Sequence, residues 1–107
     1  MQVINLKGLP RLPHPTGLNV KQVYQTEHVH IMNLTLQAGE KSATHPTPVD
    51  VLFYCIRGTG KIEVGDEAEI ISAGEIVVCP RDVVHTALAS EGEEFELLVM
   101  EAPTPAK

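Results

Sequence analysis

The residues of this chain best suited to chemistry are two histidines forty positions apart, each set in a frame of glycine and proline. The first frame runs from Gly39 through His45, Thr47 and Val51 to Gly58; the second runs from Gly74 through Pro80 and Asp82 to His85. Imidazole is largely neutral near pH 7, yet it can ligate a metal, exchange a proton or hydrogen-bond through both nitrogens. A second pair, His28 and His30, flanks Val29. Residues of one parity share a face of a strand. His28, His30, Met32, Leu34 and Leu36 therefore lie together, and the leucines mark their face as inward. If this strand runs antiparallel beside the segment at His45, turning near Gly39, His30 comes level with Thr47. His14, between two prolines, is expected in solvent. Asp50 is one residue off Val51, which turns its side chain to the opposite face.

These side chains need a scaffold of short strands. Residues 20–26, 29–37, 51–57, 61–64, 68–71, 76–79, 83–89 and 95–101 are rich in β-branched types and bounded by turn chemistry. Turns are expected at Ala38-Gly39, Gly58-Thr59-Gly60, Ala73-Gly74, Pro80-Arg81-Asp82 and Glu91-Gly92. Gly65-Asp66 between two alternating runs predicts a tight hairpin. No window carries a useful helical period, so the fold class is all-β, a sandwich or barrel over residues 20–101. Residues 1–19 hold Pro10, Pro13 and Pro15 and form an extended N-terminal arm; residues 102–107 form a solvated tail. In Val51–Arg57 one parity holds Val51, Phe53 and Cys55, and the other holds Leu52, Tyr54 and Ile56. Both faces are apolar, so both want cover, which predicts a homodimer.

The two frames resemble the paired signature of the cupins, Gly-x5-His-x-His-x3-4-Glu-x6-Gly and Gly-x5-Pro-x-Gly-x2-His-x3-Asn. Gly39, His45, Gly58, Gly74, Pro80 and His85 match it. Thr47 stands at the second histidine and Val51 at the glutamate; Asp82 replaces the turn glycine and Ala89 the final asparagine. The resemblance implies a double-stranded β-helix, or jelly roll. It also implies a divalent metal held in the family by three histidines and the glutamate. On this chain His45 and His85 are the ligands so implied. His30 is the candidate third, and the ion would be Zn, Fe, Ni, Mn or Cu, with no metal as the alternative. Thr47, Met32, Phe53, Val99, Glu101 and His28 are expected to line the pocket.

Composition excludes some functions. Net charge is −6, from 8 Lys and Arg against 14 Asp and Glu, with no basic cluster. Nucleic acid and anionic membrane surfaces are therefore not expected as partners. No apolar run approaches the ~18 residues of a membrane span, and a soluble cytoplasmic protein is expected. Cys55 and Cys79 sit in apolar runs and read as small buried hydrophobes. The functional expectation is a pocket for a small-molecule ligand around His45 and His85. One form is a metal-dependent enzyme, dioxygenase- or isomerase-like, on a small polar substrate; the other is a metal-free binding or sensing module.

Overall fold

The computed structural model describes residues 1–106. Seven strands follow one turn of 3-10 helix at Leu6–Gly8: β1 Asn19–Gln25, β2 His30–Leu36, β3 Asp50–Val64, β4 Glu67–Ser72, β5 Ile76–Cys79, β6 His85–Ala89 and β7 Phe95–Ala102. Every pairing is antiparallel. The first half of β3 pairs with β7 and β5, and β7 continues through β2 to the edge strand β1. The second half of β3 pairs with β4 and β6. One strand thus serves two sheets, and the core lies between them.

The continuity of β3 corrects the turn expected at Gly58-Thr59-Gly60. Gly58 has φ of +84°, and a Cβ there would collide with the carbonyl of Glu94. A Cβ on Gly60 would strike the Phe95 ring. These glycines therefore allow close approach within a strand instead of reversing the chain. The register against β7 slips between Cys55 and Arg57, a β-bulge that bends β3 from one sheet into the other. By contrast, the hairpin at Gly65-Asp66 closes as expected. Val64 pairs with Glu67, and Gly65 takes the positive φ of +60° that a primed two-residue turn requires.

Strand parity sorts the core. Val51, Phe53 and Cys55 are buried, while Leu52, Tyr54 and Ile56 on the other face are only half-buried. Leu36, Phe95 and Leu97 complete the centre with no exposed surface. Each such side chain contributes roughly 1.5–3 kcal/mol through burial. Cys55 and Cys79 are free, fully buried thiols, and burial pushes both pKa values up.

The N-terminal segment packs against β1. Leu12 N–H donates to Val20 O (2.7 Å), and Lys21 Nζ donates to Leu6 O (3.1 Å). The C-terminal tail, expected to be solvated, is exposed at Ala102, Pro103 and Ala106 but tied down at Thr104. Thr104 donates through its backbone N–H to Glu27 O (3.3 Å) and through its hydroxyl to Thr26 O, docking the tail on the β1–β2 turn. Lys107, the last residue of that expected tail, lies outside the described residues.

Candidate functional site

The two motif histidines meet across a backbone bridge. His45 N–H donates to His85 O (3.4 Å) and His85 N–H donates to His45 O (3.2 Å), so the residues oppose each other directly. Directly opposed residues of an antiparallel pair project to the same face with Cβ atoms about 5 Å apart. Accordingly the rings pack edge to face, with centroids 5.0 Å apart. Asp82 keeps the second frame turning: it adopts a φ of +65°, which Asp tolerates better than most residues, and its N–H donates to Thr47 O (2.8 Å). Asp50 points away, as expected, and accepts from Arg81 N–H (3.0 Å).

His85 is buried; Phe53 packs edge to face on its ring at 5.5 Å, and Thr47 Oγ1 lies 3.1 Å from its Nε2. Burial, and then the adjacent His45, push the His85 pKa below the ordinary 6.5. A neutral imidazole is the form this site favours. His45, in contrast, is exposed.

Both rings open on a cavity of about 180 Å³. Thr47, Met32, Phe53, Val99 and Glu101 are on its wall, with Leu18, Val20, Leu34 and Val51 supplying further apolar surface. His14 is exposed, as expected, and it also borders the cavity, where its Nδ1 accepts from Thr16 (2.9 Å to the hydroxyl). Sequence reasoning missed this because nothing local says that a proline-rich arm passes the mouth of a barrel. A larger depression of about 520 Å³ lies between β4 and β5, lined mainly by Ile62, Val64, Ile71, Val77 and Val83 with carboxylates. It contains no histidine and no part of either histidine pair.

Two expected site residues stand elsewhere. The His28 side chain is 83% exposed and 3.3 Å from Glu27, outside the cavity wall. His30 does not join His45 and His85. Its Nδ1 is 2.9 Å from Glu101 Oε1 and its Nε2 is 2.9 Å from Gln22 Oε1, so both ring nitrogens are engaged. β2 pairs with β1 and β7 and not with the segment at His45, and although Met32 and Leu34 of its inner face line the cavity, His30 opens the strand and is held there by Glu101 and Gln22.

These residues do not fit the metal that the motif implies. Thr47 and Val51 replace two donors, and Nε2 of His85 already meets the Thr47 hydroxyl. Among the described residues no group of three or more His, Cys, Asp or Glu side chains is arranged to hold an ion.

The fold has clear relatives. A structure of TT1209 from Thermus thermophilus superposes with a TM-score of 0.85 at 25% identity, covering 98% of this chain and 100% of that one. KdgF from Halomonas sp. superposes at 0.86 and 19% identity, covering 97% and 94%. An RmlC-like cupin with a double-stranded β-helix fold from Methanocaldococcus jannaschii gives 0.79 and 24%, covering 96% and 91%. No curated protein matches the chain. A family model described as a cupin domain matches residues 32–101, which span both histidine frames and most of the barrel. The chain belongs to the cupin family.

Proposed function

We propose that this cupin binds a small, partly polar organic molecule in the cavity beneath His45 and His85, using its own side chains instead of a bound ion. The observation that carries this reading is the cavity itself. Both motif imidazoles open on about 180 Å³ of largely apolar wall, while the positions that would complete an ion's ligand shell hold Thr47 and Val51. Ligand sites have this build, an apolar body with a few convergent polar groups. A neutral imidazole offers one donor and one acceptor. His45, the rest of His85, Thr47 and Glu101 are the groups that would orient a ligand.

Two measurements on tag-free protein test this. Ligand-observed NMR with a library of small polar fragments should find hits that compete for one site and weaken in a His85→Ala variant. Trace-metal analysis should find well under one equivalent of Zn, Fe, Ni, Mn or Cu. A full equivalent, lost in the His45→Ala/His85→Ala double variant, would overturn the ion-free reading and restore a metal-dependent site.

A further inference from the structure

The cavity holds a carboxylate that the motif does not describe. Glu101 on β7 is the register partner of Val51 on β3 and of His30 on β2. Val51 occupies the glutamate position of the motif, so a carboxylate stands one strand away from where the motif would put it. It is well shielded, with side-chain exposures of 12% for Glu101 and 16% for His30.

A hydrogen-bonded chain fixes its orientation. Glu101 Oε1 meets His30 Nδ1 at 2.9 Å, His30 Nε2 meets Gln22 Oε1 at 2.9 Å, and Gln22 Nε2 donates to Gln25 Oε1 at 2.9 Å. The chain exists because of a bulge. The β1 register slips between Gln22 and Tyr24, leaving Val23 as an extra residue. Residues three apart in a regular strand point to opposite faces. The inserted Val23 returns Gln25 to the face of Gln22, opposite His30. No protein donor reaches Glu101 Oε2 among the described residues, while Glu101 lines the cavity.

An ionised carboxylate only accepts hydrogen bonds, so its cavity partner must donate them. No lysine or arginine lines the cavity; its other titratable groups are His14, His45 and His85. His30 pairs with Glu101 at Oε1, and an anionic ligand would approach Oε2 with no lysine or arginine in the cavity wall to offset the carboxylate, in a setting that screens poorly. The cavity, at ~30 Å³ per water-sized group, accommodates roughly six such groups.

We propose that Glu101 is the polar anchor of the cavity and selects a small hydroxylated ligand or amino alcohol, neutral or cationic, over a carboxylate of the same size. This rests on the cavity being the ligand site, as proposed above. Three probes of nearly equal size separate the cases: glycerol, serinol (2-amino-1,3-propanediol) and glycerate. Each is titrated into the full chain at pH 7.5 and followed by backbone amide NMR. Serinol and glycerol should shift the amides of Met32, Val99 and Glu101, with serinol at least about tenfold tighter than glycerate. In Glu101→Gln that preference should shrink to within about threefold, a change of selectivity that simple destabilisation does not produce. Glycerate binding at these residues as tightly as serinol does would overturn the anchor role of Glu101 while leaving the cavity as the ligand site. If none of the three probes moves a cavity amide of the wild-type protein, both readings fail. The wild-type series decides the matter even if Glu101→Gln does not fold.

Discussion

His85 carries its ring between Phe53 and Thr47, shielded from water, and no ion pair to it exists among the described residues. A charged imidazolium there loses hydration without compensation, and the neighbouring His45 adds to the penalty, which is why its pKa is depressed. Below its unfolded value of 6.5 the unfolded chain takes up a proton that the native state refuses. The contribution of His85 to stability is therefore complete above pH ~6.5, falls as pH drops below it, and levels off once the folded pKa is passed. Urea midpoints measured from pH 8 downward should fall across that window, and His85→Gln should flatten the curve there. Thr47→Val tests the adjoining contact. Losing the hydroxyl that meets His85 Nε2 should cost about 1 kcal/mol by the same assay. The buried thiols of Cys55 and Cys79, with raised pKa values, should react with a bulky disulfide reagent only as the protein unfolds. Rapid labelling of the native protein would contradict this.

The β3 bend concentrates constraint at Gly58. Alanine there must adopt a φ of +84° and push its methyl into the Glu94 carbonyl. Gly58→Ala should cost at least about 2 kcal/mol, and an unchanged denaturation midpoint would show that β3 is not bent in this way. Arg57 spans the same bend, donating to Glu94 (2.8 Å) and Glu96 (3.2 Å), but these half-exposed pairs add little. Most strands were visible in the chain because runs such as Ile76–Cys79 combine β-branched residues with flanking turn types, and Phe95–Ala102 alternates Phe95, Leu97 and Val99 onto one face. Gly58-Thr59-Gly60 misled because local chemistry looks the same for a glycine that turns the chain and one that another strand must approach. The frames around His45 and His85 placed those two rings correctly beside one another, since each frame fixes its own turn. His30 was misplaced for a different reason. Parity assigns a face but not a neighbour, and the partners of His30 depend on a β7 register seventy-one residues away and on the Val23 bulge. Nothing local encodes either.

On the outer face of the larger sheet, Ile31, Met100, Leu52 and Val78 form one cross-strand row, and Leu98, Tyr54 and Ile76 form the next. Ile76 and Val78 are 58% and 64% exposed. This largely apolar surface, edged by Asn33 and Lys21, can oppose a second copy of itself about a two-fold axis. Light scattering should give a dimer mass at tens of micromolar, and Ile76→Lys/Leu98→Lys should give a folded monomer; a monomeric wild type would refute the pairing. β3, finally, has a kinetic consequence. It pairs with β4, β5, β6 and β7, and only the β4 partnership closes through a short hairpin. The rest must wait for distant segments to find a strand in the middle of the chain, with loop entropy opposing each encounter until contacts form. Neither sheet can persist without β3, so unfolding should show one cooperative transition. Refolding should take milliseconds to seconds, as for other barrels dominated by non-local pairing.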